Sequence, residues 1–274
     1  LAAERARDVY QPPVLPPGSG GAGGDLAEVS GLPLRLTSTG RLEFLGGLPV
    51  VRPRARTIDD MRAVLYNQTA ADPEELYLMY RGLGWPEDID RLSAYSLRFD
   101  LTILSCGLVG GEYVKTAGHY HPERYAELYQ VLVGRAHFLL QRPVKDDPSE
   151  AVEDVVVVEA GPGELLYVPP NYGHVTINPS REPLVMVNVV DATFDSLYDP
   201  YRARRGAAYY EIDDRGHSYW VANEHYCGPP PRLGRVTQPA DLGLAGDEPL
   251  YGQLVRGPRA LAFLSQPPGD GPRP

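Results

Sequence analysis

Two histidines one residue apart, His119 and His121, stand ahead of a glutamate at position 127, and a further histidine follows at position 174. Imidazole and carboxylate are the side chains that hold borderline divalent cations. In an extended chain, residues i and i+2 project to the same side, so a strand through Gly118–His121 puts both imidazoles on one face. Glu127 opens an apolar run whose same-face residues are Tyr129, Val131 and Val133. His174 starts another short run, with Thr176 and Asn178 on its own face. A lone His-x-His is common on surface strands. Three imidazoles and a carboxylate that converge inside a barrel instead suit Fe, Mn, Ni, Co or Zn, with one or two positions left open.

The surrounding pattern says what must position them. From Tyr95 the hydrophobic period is two, with Leu97, Phe99, Leu101 and Ile103 on one face and Ser96, Arg98, Asp100 and Thr102 on the other. Short strands punctuated by Gly, Pro and Asn follow, at 127–133, 135–141, 155–158, 164–168, 174–178 and 184–190, with Gly134 as a turn. Many short strands and few helices predict an all-β sandwich or barrel. Two helices are expected ahead of them. One runs over 57–65 with Thr57 as N-cap, and one over 72–80, where Asp72-Pro73-Glu74-Glu75 has the cap, proline and acids of a helix start. No internal repeat is visible.

These motifs carry a resemblance. His119-x-His121, Glu127 and Gly134 resemble the first cupin motif, with a His121-to-Glu127 gap one or two residues longer than usual. Gly163, Pro169, His174 and Asn178 resemble the second, with Asn171 where many cupins have Gly. Asn tolerates a left-handed turn, so that change is mild. The fuller set is Lys115-Thr-Ala-Gly-His-Tyr-His121, Glu127-Leu-Tyr129, Phe138-Leu-Leu-Gln141, Tyr167-Val-Pro-Pro170 and His174-Val-Thr-Ile-Asn178. It is similar to the archaeal-type cupin glucose-6-phosphate isomerases over roughly residues 78–210.

The resemblance implies a single cupin (double-stranded β-helix, jelly-roll) barrel and a metal, Fe²⁺ first, held by His119, His121, Glu127 and His174. It implies a sugar phosphate whose phosphate meets Thr102, Thr116 and Gly118, with Tyr129 at the substrate and Tyr198 closing the pocket. It further implies a homodimer and a place in glycolysis and gluconeogenesis. Val190 and Ser196 fall where such enzymes carry a Tyr and a His.

Aldose–ketose isomerisation moves a proton between adjacent carbons through a cis-enediol. An open metal position polarises the two oxygens, and a carboxylate such as Glu127 shuttles the proton; a direct hydride shift is the other route. The rivals are a mannose-6-phosphate isomerase, an Fe/Mn dioxygenase and a non-catalytic sugar-phosphate-binding cupin. Lys115 and Arg98 are the nearest cations and are expected to be ordinary solvated charges, while His137 reads as structural. His217 and His225, around Tyr219 and Trp220, read as part of a C-terminal extension, and Gly161-Pro-Gly163 as a turn.

Composition narrows the classes further. The 274 residues carry 26 Lys and Arg against 36 Asp and Glu, a net charge of −10 that argues against nucleic acid and anionic membrane. No apolar run has the length of a membrane span. The N-terminal residues show no apolar signal segment, so a cytoplasmic location is expected. Cys106 and Cys227 are too few for a disulfide scaffold and are expected to be small buried hydrophobes. Gly and Pro, 29 and 28 in number, gather at 12–24, 228–231 and 266–274. The expected division is a flexible segment at 1–45, a helical extension at 46–94, the barrel at 95–200 and a C-terminal extension at 201–274.

Overall fold

A computed structural model describes residues 24–122, 124–144, 150–236, 244 and 248–265; most of the 12–24 stretch and all of 266–274 lie outside them. In chain order the first elements are α1 (Ala27–Ser30), β1 (Leu34–Leu36), β2 (Leu42–Phe44), β3 (Arg54–Thr57), α2 (Ile58–Met61), β4 (Glu75–Arg81) and α3 (Pro86–Ser93). Then come β5 (Leu97–Leu104), β6 (Leu108–Val109), β7 (Glu112–Tyr113), β8 (Glu127–Val133), β9 (Ala136–Pro143), β10 (Val152–Ala160), β11 (Leu165–Val168), β12 (Gly173–Ile177) and β13 (Leu184–Asp191). The chain closes with α4 (Asp199–Ala203), β14 (Tyr209–Asp214), β15 (His217–Ala222), β16 (Gly234–Val236) and α5 (Leu250–Arg256).

A six-stranded sheet, β11-β8-β13-β5-β4-β3, faces a four-stranded sheet, β12-β9-β10-β16. Val131 and Met186 of the first meet Phe138, Val155, Val157 and Val175 of the second in one core. Nearly all the strands are antiparallel, as a jelly-roll of the cupin kind requires. A smaller sheet, β15-β14-β7-β6, is built largely by the C-terminal residues.

The outer face of the six-stranded sheet is covered as well. Phe99, Leu101, Leu128, Val187 and Val189 form a second core with Leu34 and Leu36 of β1 and with Leu250, Leu254 and Leu264 near the C-terminus. Every residue of β13 is therefore buried, which is why it reads as an apolar run broken only by Asn188 and the terminal Asp191. Each fully buried Val or Leu there contributes about 1.5–3 kcal/mol. Among the described residues no helix is long and apolar enough to cross a membrane.

Three expectations change. The 72–80 segment is strand β4, not a helix: Tyr77, Met79 and Arg81 face the interior and pairing to β3 and β5 overrides the local cap signature. By contrast, Thr57 does cap its helix, in a reciprocal box with Asp60, although the helix gives way to a 3₁₀ turn at Arg62–Val64. His119 and His121 lie on no regular strand; isolated bridges pair His119 with His174 and Tyr120 with Leu197. Cys106 and Cys227 are exposed thiols rather than buried ones, because both fall in connecting segments outside the strands. Asn171 does take the left-handed conformation, at φ 66°.

The turn between β8 and β9 tests the packing. Gly134 has φ +83°, and a Cβ there would lie 2.9 Å from the Pro183 carbonyl oxygen. Gly134→Ala should therefore lower unfolding free energy by at least about 1–2 kcal/mol in a denaturant titration. An unchanged midpoint would contradict this reading of the turn.

Candidate metal centre

Strand register sets the interior wall. Across the six-stranded sheet, Glu127 aligns with Val190 and Arg98, and Tyr129 aligns with Asn188, Asp100 and Arg81. Thr102 lies beside Met186 and Met79, and Arg54 of β3 ends that row. Because side chains alternate across a strand, these rows all face one cavity, of about 410 Å³.

The opposite wall supplies the histidines. Lys115 bridges Ile177 and His119 bridges His174, so the 115–121 segment runs beside β12 without forming a full ladder. The Thr116 N–H bonds to the Thr176 carbonyl at 2.8 Å, and the Thr176 N–H bonds back to Thr116 Oγ1 at 2.9 Å. Gly118 is required by packing: at φ +75°, a Cβ would sit 2.5 Å from Val175 Cγ2 and 2.6 Å from the Tyr201 ring.

Between the walls the four candidates converge. His119 Nε2 lies 3.1 Å from His121 Nε2, and Glu127 Oε2 lies 3.2 Å from the Nε2 of both His121 and His174. All four potential ligand atoms are within 4.8 Å of one another. Cation bonds of about 2.0–2.2 Å, set near right angles, place neighbouring donors about 3 Å apart. Glu127 Oε2 is buried with no hydrogen-bond partner despite those close nitrogens, which leaves it lone pairs to offer a cation. This nitrogen-rich, single-carboxylate donor set fits a divalent metal.

Protonation fits too. Burial, reinforced by the neighbouring imidazoles, holds the His119 pKa well below its ordinary value, and burial also lowers that of His174. Burial works to raise the Glu127 pKa, but contacts with His121 and His174 outweigh it and hold the carboxyl well below its usual range. Neutral imidazole and ionised carboxylate are the ligating forms. Asn188 Nδ2 donates to Glu127 Oε1 at 2.7 Å, and His121 Nδ1 stands 3.4 Å from the Tyr125 carbonyl oxygen.

The other candidates fall around this cluster. The Tyr129 hydroxyl is 3.1 Å from His174 Nε2, and burial pushes its pKa far up. The Tyr198 ring lies 5.3 Å from that of His119, tilted by 39°. Thr102, Thr116 and Gly118 line the cavity, as do Val190 and Ser196. Arg98 is not a free cation: it makes three hydrogen bonds of 2.8–3.0 Å to Asp100. Lys115 is not solvated either, being 5% exposed and ion-paired with Glu112 under the Tyr210 ring. His137 is buried against Glu211 at 2.9 Å, outside the cavity, and His217 and His225 are exposed. Sequence reasoning missed Arg54, Arg56, Arg81 and Asn188. The Arg54-Ala55-Arg56 alternation puts the two β3 arginines on one side of a strand but does not say which side faces a cavity.

The fold and this cluster define a cupin-type jelly-roll with a three-histidine, one-glutamate centre able to hold a metal. The sequence profile of the glucose-6-phosphate isomerase (GPI) family matches residues 55–228, and the chain belongs to that family, which makes it an enzyme of the aldose–ketose isomerase class. It is 29% identical over 185 residues to the glucose-6-phosphate isomerase of Thermococcus onnurineus, covering 65% of this chain and 85% of that one. The Pyrococcus abyssi glucose-6-phosphate isomerase is 35% identical over 130 residues, 47% of this chain and 59% of the relative. A solved structure of Bacillus subtilis oxalate decarboxylase overlaps at TM-score 0.34 and 17% identity, covering 47% of this chain and 30% of that chain.

Asn188→Leu tests how Glu127 is held. It removes the donor to Oε1 while nearly keeping the volume, so Mn²⁺ affinity, measured by competition with a chelating dye, should fall about 10- to 100-fold. Unchanged affinity would mean that Glu127 is oriented without Asn188.

Proposed function

We propose that this chain interconverts glucose 6-phosphate and fructose 6-phosphate with a divalent metal held by His119, His121, Glu127 and His174. The observation that carries the reading is the unpartnered Glu127 oxygen facing the imidazole nitrogens, in the wall of a cavity lined by hydroxyls and arginines. Membership of the family supports the reaction, and the cavity volume suits a hexose phosphate. Fe²⁺ is the ion that the resemblance puts first, while the donor set accepts Mn²⁺, Ni²⁺, Co²⁺ and Zn²⁺ as well. When bound, such an ion supplies Lewis acidity at the sugar's C1 and C2 oxygens.

The chain's own residues supply the rest. When Oε2 is not serving as a ligand, Glu127 takes the proton from C2 of the open-chain aldose and returns it to C1. The O2 hydroxyl proton passes to O1, so that the enediol closes to the ketose; the reverse reaction uses the same groups. Asn188 donates to Oε1 and steadies the carboxylate. The Tyr129 hydroxyl, pinned beside His174, orients a sugar oxygen as a hydrogen-bond donor. Thr102, the Thr116 hydroxyl proton and the Gly118 backbone meet the phosphate. Tyr198 covers the cluster and limits water access.

One observation favours a second route over the same site. Asn188 holds Oε1 of the Glu127 carboxylate at 2.7 Å, so a ligand that cannot swing free would leave the hydrogen to pass directly from C2 to C1. Glu127→Gln separates the two. With excess Mn²⁺ and metal content measured alongside, the proton-shuttle route expects turnover to fall about 10²–10⁴-fold in a coupled fructose 6-phosphate assay. Wild-type product formed in D₂O should then carry deuterium. Wild-type turnover in the metal-loaded variant, with no deuterium in the product, would remove the shuttle role and leave the direct transfer. A metal-loaded wild type that binds the sugar phosphate without turning it over would defeat the isomerase reading itself.

A further inference from the structure

The cavity is electrically lopsided. Glu127, Asp100 and Asp191 line it from β8, β5 and β13, with Asp195 just beyond, and there Arg98 is already committed to Asp100, with Arg81 beside Asp100 in the register. A phosphate dianion brought to that side meets carboxylates, in a chain whose net charge is already −10. The β3 edge of the same wall is different. Arg54 and Arg56, two apart on this edge strand, both face the cavity, Arg54 exposed and Arg56 half-buried.

Arg56 is the better placed of the two. Its Nε is buried and has no hydrogen-bond partner, a donor that costs free energy until something accepts from it. Its guanidinium stands 5.7 Å from the centre of the Tyr198 ring, and the His119 ring lies 5.3 Å from the same ring. Tyr198 thus neighbours both the arginine and the histidine cluster in the wall of one cavity. Tyr77, opposite Arg56 in the strand register, accepts a hydrogen bond from the Ala117 N–H at 3.3 Å and so ties Arg56 to the Thr116–Gly118 segment. Burial works against the Arg56 charge, but flanking Tyr77 and Tyr198 outweigh it and keep the guanidinium's pKa above its ordinary value.

We propose that Arg56 is the anion anchor of the cavity, binding the substrate's phosphate through its guanidinium and thereby selecting phosphorylated over free sugar, with Arg54 at the mouth. The inference rests on the sugar-phosphate reading above and gives the substrate a direction, with C1 and C2 at the histidine cluster and the phosphate at β3. A guanidinium suits this because it stays charged and presents a planar fork of donors to phosphate oxygens. The competing account is that Arg56 only packs against Tyr198 as a cation–π partner.

The test uses the full Mn²⁺-loaded chain and the variants Arg56→Leu and Arg56→Lys. Calorimetric titrations with inorganic phosphate, fructose 6-phosphate and fructose are compared, with metal content and thermal midpoint measured beside them. Arg56→Leu should weaken binding of both phosphate ligands roughly 10- to 100-fold, with fructose affinity and metal content unchanged. Arg56→Lys should lie between that variant and wild type, since it keeps charge but loses the fork; it carries the test if Arg56→Leu does not fold. Equal losses for fructose and fructose 6-phosphate, or phosphate binding that ignores the substitution, would overturn the anchor and leave a packing role. Arg56-dependent phosphate binding in a wild type that never isomerises would uphold the anchor while refuting the isomerase reading.

Discussion

The constraint on which the interior depends is a carboxylate placed where water is scarce. An ionised carboxylate moved into a β-sandwich core carries a penalty of several kcal/mol unless it is paired or bound to a cation. Glu127 answers half of this with Asn188 on one oxygen, and turns the other toward the nitrogens of His121 and His174. That arrangement needs both sheets. Glu127 and Asn188 come from the six-stranded sheet, His174 from the four-stranded one, and His119 and His121 from the bridging segment between them. Gly118 and Gly173 let this segment and β12 close on Tyr120 and Tyr201, where a Cβ at either glycine would lie under 3 Å from a ring.

The covering of the outer face follows from the same demand for precision. A sheet with one side in solvent can flex, whereas β5, β8 and β13 are packed on both sides. The N-terminal hairpin and the C-terminal helix supply the second layer, so segments distant in sequence stiffen the strands that carry Glu127, Tyr129 and Asn188. The Tyr251 hydroxyl accepts from the Trp85 N–H and donates to Asp88, and Leu250 N–H donates to Gln130 of β8. The terminal layer is thus joined to the site strand by hydrogen bonds as well as by apolar contact.

Much of this was legible in the sequence because the signals were local. Alternation in 97–103 marked β5, and the Glu127-to-Gly134 run marked β8 and its turn. The convergence of the two histidine-bearing segments followed from a resemblance rather than from periodicity. What escaped the reading depended on distant partners. Asp72-Pro73-Glu74-Glu75 carries the composition of a helix start, and only pairing with β3 and β5 makes the following residues a strand. Lys115 has no local mark of burial; Glu112 and the Tyr210 ring, almost a hundred residues on, enclose it. Arg56 and Asn188 matter through cross-strand register, which a single sequence does not display.

The central claim is that the four side chains hold one divalent ion, and X-ray absorption at the metal edge of the Mn²⁺- or Co²⁺-loaded chain tests it most directly. One ion per chain is expected, with a first shell of oxygen and nitrogen at ~2.1 Å and the outer-shell scattering pattern of three imidazoles. His174→Ala should reduce that imidazole count or abolish binding. A loaded chain whose spectrum shows only oxygen ligands, without imidazole scattering, would place the ion elsewhere and contradict the account.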